Sequence, residues 1–166
     1  MTAVASLLDE LRAAREYTNG LLDHVPDGDW YRMPAEGVTH IAWQVGHLAW
    51  AELGLCLVRV CGMSPEEISL LPKHYGELFG KGSVPRTEDD RHPEPAELRA
   101  AADRVHAAAL EAVSQLDDSV LDEPAGPPHL MFTSKREALR WCAHHELTHT
   151  GQIILLRRLL GHTARR

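Results

Sequence analysis

The sequence predicts an all-α protein, a four-helix bundle with a long connection between its second and third helices. Three observations carry that expectation. Apolar residues recur three and four apart in four long segments, no segment alternates apolar and polar residues as a strand would, and residues that start and stop helices stand at the segment ends.

The first helix is expected from Ala3 to Val25, with Leu7, Leu8, Leu11, Ala14, Leu21 and Leu22 on its apolar face and Pro26, Asp27 and Gly28 ending it. Trp30 to Gly37 reads as a connector. The second helix runs from near Thr39, whose hydroxyl suits an N-cap, to Cys61, with Gly62 as its stop. Ser64-Pro65-Glu66-Glu67 combines a capping box with a proline at the first helical position, so a short helix should follow, halted by Pro72. Lys73 to Arg91, with Gly76, Gly80, Gly82 and Pro85, reads as an excursion holding one more helical turn. The third long helix spans Pro95 to Leu116 on a face of Leu98, Ala102, Val105, Ala109, Leu110 and Val113, and Asp117 to Pro128 is turn and loop. The fourth opens on Ser134-Lys135-Arg136-Glu137, a second capping box, and continues to Leu160 with Gly161 as stop. Helices of about 22 to 27 residues, at about 1.5 Å rise each, suit a bundle about 33 to 40 Å long. There are no internal repeats or low-complexity segments, and residues 1–166 read as a single domain. The long connection either crosses the bundle end or covers a pocket.

A hydrophobic fraction of 44% and a charged fraction of 25% over 166 residues suit one globular domain whose core needs no staples. A net charge of −7 and the lack of a basic stripe leave a nucleic-acid partner without electrostatic support. Arg157, Arg158, Arg165 and Arg166 read as C-terminal charges that complement a helix dipole. The N-terminal residues meet Asp9 and Glu10 early and carry no long apolar run. Neither a signal peptide nor a membrane span is therefore expected, and the expected location is cytoplasmic. Cys56, Cys61 and Cys142 lack zinc-finger spacing and read as reduced, largely buried thiols.

The chemistry concentrates in Trp141-Cys-Ala-His-His-Glu-Leu-Thr-His-Thr-Gly-Gln-Ile153. His145 and His149 stand four apart, and at about 100° per residue both imidazoles share a helix face, one turn from each other. That is close enough to share a metal ion. Transition metals in proteins take three or four ligands, so a third is required. His47, in the second helix, is the best candidate, with Cys142 a weaker one. Trp141, Gln152 and Leu156 lie within about 40° of His145 on the wheel, while His144 and Glu146 flank it by about 100° on either side. Trp43, Ala51 and Gly54 share the face of His47, with Gln44 close by. Histidines on facing helices are how bundles build metal sites. A lone core histidine satisfied by a carbonyl would be ordinary, but two on one face leave four ring nitrogens to satisfy.

His40 lies about 10 Å from His47 along the helix and is expected to line the pocket or support a ligand. Gln44 and Gln152 are candidates to orient ligands or water, and Trp43, Trp50 and Trp141 read as core residues beside the site. His24, His74, His92, His106, His129 and His162 have no partner at ligand spacing, so each is expected at the surface or as a cap.

A histidine within an aromatic second helix, Ile41-Ala42-Trp43-Gln44-Val45-Gly46-His47-Leu48-Ala49-Trp50, here pairs with a late His-x-x-x-His-x-Gly-Gln-Ile, His145 to Ile153. In this the chain resembles the DinB-like superfamily of metal-dependent enzymes, which includes the YfiT-type and mycothiol-dependent maleylpyruvate isomerase proteins. The resemblance covers nearly the whole chain in helix order. It implies a four-helix bundle with a divalent metal ion, zinc or nickel, held by His47, His145 and His149. It also implies a low-molecular-weight thiol as a co-substrate in some members, and a homodimer.

His145-Glu146-Leu147-Thr148-His149 also matches His-Glu-x-x-His, the zinc protease signature. The extension does not fit: Gly151 follows the second histidine by two residues rather than three, and His162, the sole downstream histidine, comes after the helix stop. Glu146, on the flank of the ligand face, is expected to be solvated or to bridge helices as an ion pair. Three histidine ligands leave open positions, where a water's pKa can fall towards about 7 or a thiol can bind as thiolate. The expected function is a metal-dependent enzyme on a small-molecule substrate, thiol transferase-like or catalysing a related transfer or isomerisation. A metal-dependent hydrolase and a non-enzymatic metal-binding interaction protein are the alternatives.

Overall fold

The computed structural model describes residues 2–65 and 68–163. In chain order these form α1 (Ala3–Leu22), α2 (Ile41–Glu52) prolonged by a π-helical segment (Leu53–Val60), the short α3 (Tyr75–Phe79), α4 (Pro95–Ser114) and α5 (Lys135–Leu159). Helix α1 packs on α5 and α4, and α2 packs on α4, α5 and α3. The described residues contain no strand, only an isolated antiparallel bridge between Pro124 and Ser134. The all-α bundle is the fold observed.

Local chemistry accounts for the helix ends. At the start of α1, Thr2 Oγ1 accepts from the Ala5 N–H at 3.1 Å, and the Asp118 carboxylate accepts from Ala3 and Val4 at 2.8 and 2.9 Å. Helix α1 ends at Leu22, three residues before the expected Val25, because Pro26 disfavours helical dihedrals at the residue before it. The cap of α2 is His40 rather than Thr39: its Nδ1 accepts from the Trp43 N–H at 3.0 Å. Nδ1 stands as far from Cβ as an asparagine oxygen does, so the imidazole can cap as asparagine would. Both halves of the Ser134–Glu137 capping box are formed on α5, and Gly161 turns the chain out at φ +90°.

Glu66 and Glu67, where the expected short helix would begin, lie outside the described residues, as do Arg165 and Arg166; residues 68–71 are not helical. Helix α3 is the extra turn expected in the long connection. Ile41–Val60 is apolar and long enough to cross a membrane, with mean hydropathy 1.3, but 67% of that window is buried as a core helix of the bundle. Arg157 and Arg158 stand in the last turn of α5, as expected of charges that complement the helix dipole, and Arg157 is buried there.

The core has two apolar clusters. One gathers Leu7, Leu11, Leu57, Val60, Val105 and Leu139. The other gathers Leu22, Trp30, Ile41, Val45, Phe79 and Ile153. Where α1, α2 and α5 pass from one cluster to the other, their buried residues are polar: Arg15 and Thr18, Glu52, and Glu146 and Thr150. Arg15 Nε donates to Glu146 Oε1 at 2.7 Å, its Nη2 to Glu52 Oε2 at 2.9 Å, and its Nη1 to the Ala102 carbonyl at 3.1 Å. The second Glu52 oxygen lies 2.7 Å from His106 Nδ1, and the Thr18 and Thr150 hydroxyls meet at 2.8 Å. The polar belt thus has members on all four long helices.

Candidate metal centre

Helix α5 places His145 and His149 one turn apart, with their Nε2 atoms 3.2 Å from each other. Helix α2 presents His47 opposite, its ring centroid 5.3 Å from that of His145 and 4.8 Å from that of His149. One ring nitrogen from each of the three lies within 4.8 Å of the others. The structure therefore brings together the three histidines singled out in the sequence. Cys142 is not among them. Its Sγ is 3.7 Å from that of Cys56, in a separate buried group with Glu52.

The far side of each ring decides what the near side can do. His47 Nδ1 lies 2.8 Å from the Phe79 carbonyl, which can only accept, so Nδ1 carries the proton and Nε2 keeps its lone pair. His149 Nδ1 lies 2.5 Å from Gln44 Oε1. The Thr39 hydroxyl donates to the His40 carbonyl at 3.5 Å and accepts from the Gln44 amide nitrogen at 3.2 Å, an arrangement in which the amide oxygen faces the histidine. Metal-binding histidines are held in this way, with the second ring nitrogen donating to a carbonyl. The lone pair of His149 Nε2 then faces His145 Nε2, an approach that favours a cation or a shared proton between them. Tetrahedral zinc with Zn–N of about 2.0–2.1 Å would hold its nitrogens about 3.3 Å apart, a spacing the His145–His149 pair matches at 3.2 Å, with a ring nitrogen of His47 within 4.8 Å of both.

Burial also suits the three rings to ligation. It lowers the pKa of His149 to about 3, with His145 and then His47 adding to the effect. It lowers that of His145 to about 4, with His47 adding, and it lowers that of His47 against the pull of the Phe79 carbonyl. All three imidazoles are neutral near pH 7, the form that binds metal.

The long connection covers this site, which settles its role. Gly46, beside His47, lets the Phe79 ring lie directly on α2: a Cβ there would come within 2.6 Å of Phe79 Cδ2. That close approach delivers the Phe79 carbonyl, at the end of α3, to His47. Trp43 stacks on His47 with centroids 4.7 Å apart and planes 8° from parallel, and its indole N–H donates to Ser83 Oγ at 2.9 Å. Beside His149 a cleft of about 440 Å³ opens, with Trp43, Gln44, Ser83 and Gln152 among its walls. Trp141 stands 6.0 Å from His145, and Trp50 lies against Gly76 of α3. His40 is buried, and burial lowers its pKa to about 4. It supports the site by capping the helix that carries His47.

Glu146 is buried and bound by Arg15 on both oxygens, at 2.7 and 3.1 Å. It bridges helices, one of the two roles expected of it. The glutamate of the His-Glu-x-x-His match is therefore held in the polar belt by Arg15. The expectation that the remaining histidines serve as surface groups or caps needs correction at three of them. His106 pairs with Glu52, His162 Nε2 meets Asp29 Oδ2 at 2.9 Å, and His92 stacks on Tyr31 at 4.2 Å. Sequence reasoning missed Arg15 and Glu52, although both left a signal. Arg15 stands seven residues from each of Leu8 and Leu22, in a leucine's place on the core face. Glu52 is the only Asp, Glu, Lys or Arg between Ile41 and Val58.

Four packed helices and a converging histidine triad define a helical-bundle protein with a candidate metal centre. The sequence matches the DinB superfamily over residues 10–153, and the chain belongs to that family. Among solved structures it is similar to a conserved protein from Enterococcus faecalis, with 22% identity over 96% of this chain and 97% of the other and a TM-score of 0.64. At that identity the likeness is one of fold. No curated protein matches the chain.

Proposed function

We propose that this chain is a metal-dependent enzyme in which His47, His145 and His149 hold a divalent ion, zinc or nickel, and that it transfers a thiol to a small-molecule electrophile or isomerises one with a thiol's help. The observation that carries this reading is the 3.2 Å approach of two Nε2 atoms, with the far nitrogens of His47 and His149 anchored on Phe79 and Gln44. An ion held by three imidazoles would supply a Lewis acid with open positions, able to favour a thiol's ionised form at neutral pH.

The protein's own groups would do the rest. Phe79 and Gln44 keep the rings in the ligating tautomer, and Trp43 covers the His47 face. Gln152 stands at the cleft wall, three residues beyond His149, where a guest can reach it. Glu146, engaged by Arg15, is not free to act as a general base, which favours thiol chemistry over hydrolysis.

Elemental analysis of protein purified without a histidine tag tests the metal, and turnover of low-molecular-weight thiols with electrophilic acceptors tests the reaction. Near-stoichiometric metal and metal-dependent thiol consumption are expected. Ester or lactone turnover without thiol would favour the hydrolase, and bound metal without turnover would favour a binding protein.

A further inference from the structure

The cleft beside His149 has a distinctive chemistry. Its apolar walls come from Met33, Val38, Trp43, Val84 and Pro85, and its polar side chains from Thr39, Gln44, Ser83, His149 and Gln152. Among the described residues, no Asp, Glu, Lys or Arg lines it. Most of its polar groups already have partners. Thr39 Oγ1 accepts from Gln44, Gln44 Oε1 takes His149, and Ser83 Oγ accepts from Trp43. The Gln152 carboxamide has no hydrogen-bond partner among the described residues and is exposed on the wall. It can offer a donor and an acceptor to a guest. At about 440 Å³ the space is within the usual range of small-molecule sites.

We infer that this cleft takes an uncharged, largely apolar small molecule, of the size of a substituted arene, and that Gln152 is its polar anchor and sets its specificity. A carboxylate or ammonium group placed beside Gln152, away from the histidines, would lose water and find no opposite charge on the lining side chains, a costly exchange. A neutral amide or carbonyl would meet Gln152, with its hydrocarbon body against Trp43, Val38 and Pro85. The inference deepens the proposed function and rests on it only at the end of the guest that faces the histidines.

The test is calorimetric titration of the whole chain, metal-loaded and chelator-treated, with two matched pairs of probes. One pair is 4-(mercaptomethyl)benzamide and 4-(mercaptomethyl)benzoate; the other is 4-methylbenzamide and 4-methylbenzoate. In the chelator-treated chain, where no ion can draw the carboxylate, the neutral member of each pair should bind about tenfold or more tightly than the anion, because the unpaired carboxylate bears the desolvation cost. Gln152→Ala should weaken the amides about three- to tenfold, and Gln152→Lys should turn the preference towards the benzoates. Equal affinities, tighter anions, or no binding by any probe would overturn the inference. If the neutral preference appears in both pairs but metal adds nothing to the thiols, the cleft inference stands and the metal–thiol reading falls. If thiols bind only with metal and without preference for the neutral form, the cleft inference falls and the metal–thiol reading stands.

Discussion

His149 is set by neighbours on both sides, Gln44 at Nδ1 and His145 at Nε2. Gln44→Leu would keep the volume of the side chain but remove the acceptor. The metal affinity should fall about 10- to 100-fold while the helical circular dichroism stays unchanged. His47→Ala, His145→Ala and His149→Ala should each leave the protein without stoichiometric metal, as read by elemental analysis. Full occupancy in any of the three would remove that residue from the ligand set. Glu146→Gln should retain metal, because that carboxylate belongs to Arg15. His145 and His149 were legible in the sequence because a four-residue spacing on a helix fixes a shared face before any tertiary contact is known, whereas His47 was a candidate third ligand from its place in the second helix and from the family resemblance. Their anchors were less so. Gln44 could be suspected from its place beside His47, but the Phe79 carbonyl is a backbone atom brought in by a loop, and no side-chain pattern announces it.

The elements around the site suggest two measurements. Helix α3 docks on Gly46 with no room for a methyl group, so Gly46→Ala should push the Phe79 ring away and draw its carbonyl from His47. A loss of about 1–3 kcal/mol in denaturant unfolding is expected, with weaker metal binding alongside it. Unchanged stability and affinity would show that α3 is not a support of the ligand. His40, the cap of α2, gives a pH dependence. Its pKa is about 4 in the fold and about 6.5 when unfolded, so between those values the unfolded chain binds more protons. The stability linked to neutral His40 is therefore present above about pH 6.5 and is lost as the pH falls through the window towards 4. His40→Asn keeps a capping acceptor but cannot titrate, so its stability should fall less steeply across that window, as followed by urea midpoints. Most helix bounds were legible because capping boxes, prolines and glycines act locally. The π-helical segment Leu53–Val60 was not: an almost uncharged apolar run carries no phase from which a widened turn can be recognised.

At the scale of the whole molecule, the bundle was foreseeable from periodicity and length, whereas the polar belt depended on which helices meet. Arg15 joins α1 to α2, α4 and α5 through Glu52, Ala102 and Glu146. Arg15→Leu would leave two buried carboxylates without their cation and should cost about 3–5 kcal/mol of unfolding free energy. A loss below about 1 kcal/mol would mean that the carboxylates find water or protons instead. The same hub bears on the order in which the chain assembles. A compact intermediate with only some of the long helices docked would carry an incompletely compensated ion in its interior, and a misregistered one would misplace it. Such species are raised in energy relative to both the unfolded chain and the finished bundle. The chain should then fold with a single exponential and a V-shaped dependence of rate on denaturant, and replacing Arg15, Glu52 and Glu146 together by apolar residues should let partly folded species accumulate as a curved folding limb.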